Sequence, residues 1–162
     1  MSMDRLNAIV SHPLWQENMR QIRRLEQTRI FCGHDISHLM DVARLAYIEN
    51  LEQNLGVPRE QIYAAALLHD IGRAMQYTQG IPHHVGGARL AEEILRDCGF
   101  GEGERQQIIC AISGHRDQQS GKAPALTGLL YRADKASRLC LFCGAQEQCN
   151  WSQEKKNLAI DR

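Results

Sequence analysis

An apolar stretch from Gln61 to His69 has no polar face, and an adjacent histidine and aspartate mark its end. A helix that is apolar on every side lies at the centre of a domain. The carboxylate of Asp70 is costly there unless something cationic compensates it. An isolated His-Asp pair would more often cap a helix, with Asp70 capping the next turn through Gly72. The fold must surround this helix and give Asp70 a partner.

Helical periodicity extends over most of the chain, and no stretch alternates apolar and polar residues for long enough to indicate a strand. We therefore predict an all-α fold. The first helix is expected to follow His12 and Pro13 toward Arg29, and the others to cover about 36–55, 61–69, 85–98, 102–113 and 125–141.

The length of 162 residues suits one domain of ordinary size. We expect residues 1–30 to form an N-terminal helix that packs on the core, 31–143 to form the main domain, and 144–162 to form a C-terminal tail. A cysteine cluster is expected to staple that tail.

The 19 lysines and arginines balance 19 aspartates and glutamates, which gives a formal net charge of zero. Such a chain has no global positive field to hold nucleic acid or an anionic membrane by bulk charge. It also has no apolar run of about 18 residues and no signal-peptide pattern. We predict a cytoplasmic protein with no membrane partner.

Two further polar residues stand inside predicted core helices. His38 belongs to the long helix over about 36–55, and Asp134 belongs to the last one. Imidazole and carboxylate groups that point inward from three core helices suit a divalent transition metal with mixed nitrogen and oxygen ligands. Spacing alone does not prove such a site.

The order His38, then ALLHDIG at 66–72, then Asp134 resembles the H...HD...D signature of the HD-domain superfamily of metal-dependent phosphohydrolases. The resemblance covers roughly residues 34–138 and makes 31–143 the HD domain. It implies an all-α helical bundle with a metal in its core, held by His38, His69, Asp70 and Asp134.

Two more histidines resemble those of the two-metal members of this superfamily. PHHVGGA at 82–88 and AISGHR at 111–116 match the H-x-x-x-G-A and A-I-x-x-H contexts. The resemblance thus adds His83 and His115 as ligands, with Asp70 bridging the metals, and the register favours His83 over His84. Read singly, His83 and His84 suit a solvated loop and His115 suits a helix C-cap.

Two divalent ions would lower the pKa of a bridging water and polarise a phosphoryl oxygen. We expect iron or manganese rather than magnesium or zinc. Arg73, where similar phosphohydrolases carry lysine, is the first candidate to bind phosphate, followed by Arg116 and Lys135. The expected catalytic residues are Asp70, Arg73 and Lys135.

The expected substrate is a small, nucleotide-like phosphate ester: a phosphomonoester, a phosphodiester or a nucleotide, including a dinucleotide polyphosphate. The same six ligands also occur in diiron oxygenases built on the HD fold, and a metal or redox sensor without turnover is a third class. Arg73 and the lack of an obvious substrate-lid motif favour hydrolysis.

The cysteines suggest a second site. Cys140, Cys143 and Cys149 form C-x2-C-x5-C, one ligand short of the usual four for zinc or an iron-sulfur cluster. Cys32 lies six residues before His38, and Cys140 lies six residues after Asp134. On antiparallel helices both cysteines would be displaced from the metal in the same direction by about 9 Å. Two interpretations remain open: the four cysteines bind a metal, or they are reduced thiols without one. Cys98 and Cys110 are expected to be buried.

Overall fold

The computed structural model describes residues 3–123 and 125–161, and no β-strand occurs among them. The prediction of an all-α fold is therefore confirmed. Its α-helices are α1 (Asp4–Ser11), α2 (Pro13–Leu25), α3 (Ile36–Glu52), α4 (Arg59–Leu68), α5 (Arg73–Gln79), α6 (His83–Asp97), α7 (Glu102–Gly114) and α8 (Ala125–Ala136). Two short 3-10 helices cover Gln118–Lys122 and Cys140–Phe142.

Helix α4 lies at the centre of the bundle, as its apolar sequence predicts. Ala64, Ala65, Ala66 and Leu68 are fully buried. Helices α1, α3, α7 and α8 all contact α4, and α3 and α7 also pack on α8. The small alanine side chains let these neighbours approach α4 closely, so the end of α4 is enclosed on several sides.

The turn after α4 carries the polar pair of the buried helix. His69 is the C-cap of α4, and Asp70 follows it before α5 begins at Arg73. Gly72 is required in this turn because a Cβ there would lie 2.1 Å from the carbonyl oxygen of His83. The missing side chain lets the start of α6 pack against the turn and brings His83 beside Asp70.

Three helices differ from the prediction. Helix α1 was not predicted, yet Leu6 and Ile9 are buried and α1 packs on α4. Helix α5 was not predicted either, and α8 ends at Ala136, short of Leu141. The hydroxyl of Ser137 donates to the carbonyl oxygen of Asp134 at 2.8 Å, and such side-chain bonds compete with continuation of a helix.

The chain after α8 folds back over the end of that helix without forming another α-helix among the described residues. The amide of Asn157 donates to the carbonyl oxygens of Lys135 and Arg138 at 2.7 and 2.9 Å. Leu141 returns a backbone hydrogen bond to the carbonyl oxygen of Asn157 at 3.1 Å. The division of the chain at residues 30 and 143 stays a prediction.

No helix in the described part of the chain has the length and hydropathy needed to cross a lipid bilayer.

Candidate metal centre

Six polar side chains from five parts of the bundle meet beside the turn after α4. His38 comes from α3, His69 and Asp70 from the turn, and Asp134 from α8. His83 is the first residue of α6 and His115 is the C-cap of α7. Except for Asp134, which is half-buried, all of these residues are buried.

The first group of ligand atoms lies around one oxygen of Asp70. Its Oδ2 is 3.0 Å from His69 Nε2 and 3.3 Å from His38 Nε2. Asp134 Oδ1 lies 3.4 Å from His38 Nε2 and 3.6 Å from His69 Nε2. All four atoms lie within 4.8 Å of one another, a spacing that one cation can bridge.

The second group lies around the other oxygen of the same carboxylate. Asp70 Oδ1 is 3.4 Å from His83 Nε2 and 3.8 Å from His115 Nε2. These two nitrogens are 3.0 Å apart. Asp70 therefore stands between two ligand groups and offers one oxygen to each.

Each of the four histidines hydrogen-bonds an acceptor outside the centre through Nδ1. His69 Nδ1 donates to the carbonyl oxygen of Ala66 at 2.8 Å, and His115 Nδ1 donates to that of Ile112 at 2.5 Å. His83 Nδ1 lies 2.5 Å from Gln76 Oε1, and His38 Nδ1 lies 3.2 Å from Ser137 Oγ. A neutral imidazole carries one N–H, so each of these rings, in its neutral form, directs an unprotonated Nε2 into the centre.

Burial and charge make the centre attractive to cations. Burial opposes the ionised form of Asp70 and Asp134, but nearby histidines hold the pKa of both carboxyl groups well below the usual value. Burial also opposes the charged form of His69, yet the two carboxylates raise its pKa to about 10. Burial lowers the pKa of His83 to about 2 and that of His115 to about 4, so both rings are neutral at pH 7.

The residues fit divalent transition metals. His69 Nε2 is fully buried and makes no hydrogen bond of acceptable geometry, although it lies 3.0 Å from Asp70 Oδ2. Such an orphaned buried nitrogen is costly unless a cation satisfies it. Imidazole nitrogens with carboxylate oxygens are the ligands that iron, manganese and similar ions accept.

Two of the cations predicted to bind phosphate lie beside the carboxylates of the centre. Arg73 Nε lies 3.2 Å from Asp70 Oδ1, and Lys135 Nζ lies 2.6 Å from Asp134 Oδ2. Arg116 is exposed and lines the cavity that leads to the centre. Arg73 and Lys135 line the same cavity as Arg116, and phosphate binding by the three cations stays a prediction.

Several residues around the centre were missed by sequence analysis. Gln76 and Ser137 hold two of the histidine rings, and no periodicity marks such partners. Arg138 Nη2 lies 3.2 Å from His38 Nε2. His84 belongs to neither ligand group, whereas its neighbour His83 does.

His34 lies beside the centre but outside both ligand groups. Its Nδ1 is 2.5 Å from Glu26 Oε1, which also accepts a hydrogen bond from the hydroxyl of Tyr77 at 2.7 Å. The ring of His34 meets that of His38 edge to face, with centroids 5.9 Å apart. Glu26 and Tyr77 therefore anchor the loop that leads into α3.

A cavity of about 1150 Å³ reaches the centre at Asp134. Seven lysine and arginine side chains line it, against two acidic ones, although the chain as a whole has no net charge. Trp151 forms part of the wall, with the ammonium of Lys155 4.6 Å from the centroid of its ring. The cations are Arg29, Arg73, Arg116, Lys135, Arg138, Lys155 and Lys156.

The cysteines of the predicted second site line the same cavity: Cys32, Cys140, Cys143 and Cys149. No three of these sulfurs lie within 4.8 Å of one another among the described residues. The prediction that Cys110 is buried is wrong, because Cys110 is exposed on α7, and Cys98 is half-buried. The pattern of α7 therefore indicated the wrong face for Cys110.

Comparison with known proteins yields one family. The sequence matches the HD domain family over residues 35–141. An uncharacterized protein of Clostridium beijerinckii is 42% identical over 158 residues, which cover 98% of this chain and 99% of that protein.

Two more distant likenesses agree with that match. Ribonuclease Y of Oleidesulfovibrio alaskensis is 33% identical over 126 residues, which are 78% of this chain but 22% of that enzyme. The crystal structure of a predicted HD superfamily hydrolase from an uncultured Thermotogales bacterium superposes with a TM-score of 0.62 at 22% identity. That superposition covers 94% of this chain and 87% of the other, and it shows a shared fold.

Proposed function

The chain belongs to the HD-domain family, and from this premise we propose that it is a metal-dependent phosphohydrolase that acts on a small, nucleotide-like phosphate ester. The observation that carries the proposal is the division of the Asp70 carboxylate between two ligand groups, 3.0 Å from His69 and 3.4 Å from His83. One carboxylate set between two groups of imidazoles suits a pair of divalent cations better than it suits a purely structural core.

In this proposal His38, His69, Asp70 and Asp134 hold one cation, while Asp70, His83 and His115 hold the other. Iron or manganese suits these nitrogen and oxygen ligands. When bound, two such ions lower the pKa of a water and polarise a phosphoryl oxygen. The chain's own contribution is to orient the ligands: Arg73 steadies Asp70, and Lys135 steadies Asp134.

The charge of the cavity supports an anionic substrate. A neutral chain that gathers seven cations around one opening attracts phosphate locally. Arg116 is exposed there, so its guanidinium can bind phosphate oxygens in a bidentate manner. Trp151 supplies the planar apolar surface on which a nucleobase stacks, which favours a nucleotide over a simple sugar phosphate.

The test is a hydrolysis screen in anaerobic buffer with manganese or ferrous iron. The substrates are nucleoside mono- and triphosphates, dinucleotide polyphosphates and a short RNA, which tests the activity suggested by the likeness to ribonuclease Y. We expect phosphate-ester cleavage of a small nucleotide that His69→Ala abolishes. Oxygen consumption that depends on an added substrate, without release of phosphate, would instead identify a diiron oxygenase.

A cytoplasmic location is part of the same proposal. None of the six cysteines, all of which lie among the described residues, forms a disulfide, which suits a reducing compartment. Fractionation of cells followed by immunodetection tests it, and recovery of the protein outside the cytoplasm would contradict it.

A further inference from the structure

We propose that Cys32, Cys140, Cys143 and Cys149 bind one zinc ion, which fastens the C-terminal tail to the loop before α3. The proposal does not depend on the hydrolytic function, because none of these cysteines belongs to the His/Asp centre.

The four cysteines come from two segments that are distant in sequence but line the same cavity. Cys32 lies in the loop between α2 and α3, and the other three follow α8. Cys140 and Cys143 are joined by a tight turn in which the backbone N–H of Cys143 donates to the carbonyl oxygen of Cys140 at 3.1 Å. A C-x2-C turn with two further cysteines is the usual ligand pattern of structural zinc.

The thiols are electrostatic neighbours. Burial raises the pKa of the Cys32 thiol. Arg138 opposes that rise, whereas Cys140, Cys143 and Cys149 each add to it. Zn–S bonds of about 2.3 Å in a tetrahedral site hold the four sulfurs close together. In this structure the sulfurs are farther apart, since no three of them lie within 4.8 Å of one another among the described residues. Cys143 and Cys149 stand in a segment without α-helix, so rotamer changes and small backbone shifts can draw them in.

The surrounding charges suit such a site. Zinc binding by four thiols releases four protons and leaves a group with two negative charges. Arg29 donates to the carbonyl oxygen of Cys32 at 2.8 Å, and Arg138 donates to that of Gly33 at 2.7 Å. Burial, with Lys135 and Arg116 nearby, lowers the pKa of the Lys155 ammonium, and Cys149 is close enough to oppose that lowering.

Two large apolar side chains at the start of the tail lie mostly outside its packing. Leu139 and Phe142 are 69% and 87% exposed, so few apolar contacts hold this segment. A metal that joins Cys32 to Cys140 closes a long loop, and zinc sites of this kind contribute free energy to folding directly. The segment so fastened includes Trp151 and Lys155, which line the cavity.

Metal analysis of the full chain, purified without chelator, tests the proposal. His69→Ala removes a ligand of the His/Asp centre and is expected to keep about one equivalent of zinc. Cys143→Ser is expected to lose that zinc, and Cys98→Ser, a matched change outside the four, is expected to keep it. Zinc content that is the same in Cys143→Ser and Cys98→Ser would overturn the proposal.

A second measurement uses the unmutated protein, in case Cys143→Ser fails to fold. Titration with a mercurial reagent is expected to release zinc in step with modification of four thiols, which peptide mapping identifies as Cys32, Cys140, Cys143 and Cys149. Exposed Cys110 is expected to react without releasing zinc. Prompt reaction of all four thiols with no zinc released, or iron and sulfide bound at these cysteines, would refute the zinc site.

Discussion

His83 and His115 face one another through their Nε2 atoms, 3.0 Å apart, while their Nδ1 atoms bond to Gln76 and to the carbonyl oxygen of Ile112. Both rings are neutral at pH 7, because burial lowers the pKa of His83 to about 2 and that of His115 to about 4. Two lone pairs therefore meet in a buried space, an arrangement that a bound cation stabilises.

This geometry predicts separate losses of metal. His83→Ala is expected to reduce the metal content of the His/Asp centre from about two ions to about one, since only the second group loses a ligand. Asp70→Ala is expected to empty both positions. The control is His84→Ala, the adjacent histidine outside both groups. Elemental analysis with circular dichroism measures these outcomes, and equal metal loss in the His84 and His83 variants would contradict the assignment.

Gln76 orients a ligand without touching a metal position. Its Oε1 accepts from Nδ1 of His83 at 2.5 Å and from the backbone N–H of His83 at 3.2 Å. We expect Gln76→Ala to weaken metal binding by about 10- to 100-fold, the usual effect of losing such a partner. Competition with a chromophoric chelator measures the affinity, with exposed Gln79→Ala on the same helix as the control. Equal affinities in the two variants would show that Gln76 has no such role.

Substrate binding by the cavity predicts a difference between two exposed arginines. Arg116 lines the cavity, whereas Arg44 on α3 does not. If the proposed function is right, Arg116→Ala raises KM for the nucleotide by roughly 10- to 100-fold, because a charge-assisted hydrogen bond contributes about 1.5–3 kcal/mol. Arg44→Ala is expected to leave KM unchanged. A similar KM in both variants would exclude Arg116 from phosphate binding.

The close approach at Gly72 is a steric requirement. A Cβ there would lie 2.1 Å from the carbonyl oxygen of His83 and 2.5 Å from the backbone nitrogen of Gly87. Since both neighbours are backbone atoms of α6, we expect Gly72→Ala to lower the free energy of unfolding by about 1–3 kcal/mol. Gly103→Ala on α7, where a Cβ meets nothing within 4 Å, is expected to stabilise by about 0.4–1 kcal/mol. Urea unfolding compares the two, and equal effects would show that the turn can relax.

The residues of the centre that the sequence predicts are those that belong to a recognisable motif. His38 and Asp134 stand on helices whose periodicity is readable, and the HD pair directly follows the apolar run of α4. The structure brings all four residues together. Helices α1 and α5 have eight and seven residues, too short for a periodic pattern to indicate them. The position of the tail depends on long-range hydrogen bonds such as that from Asn157 to Lys135, which leave no local signal.

The anchor at Glu26 predicts a dependence of stability on pH. Burial opposes ionisation of Glu26, but hydrogen bonds from His34 and Tyr77 lower its pKa from 4.5 to about 2. The pKa of Glu26 is lower in the folded than in the unfolded protein. The ionised carboxylate therefore stabilises the fold fully above pH 4.5, and this stabilisation is lost as the pH falls toward 2. We expect Glu26→Gln to lower the free energy of unfolding at pH 7 by about 1–3 kcal/mol.

The difference in free energy of unfolding between the unmutated chain and Glu26→Gln is then expected to narrow as the pH falls from 4.5 toward 2. Glu93→Gln, an exposed change on α6, controls for the loss of one negative charge. Urea unfolding of all three proteins across this range measures the difference at each pH. If that difference stays constant across the pH range, the ionised Glu26 carboxylate does not stabilise the fold. The loop before α3 would then be held by its other contacts.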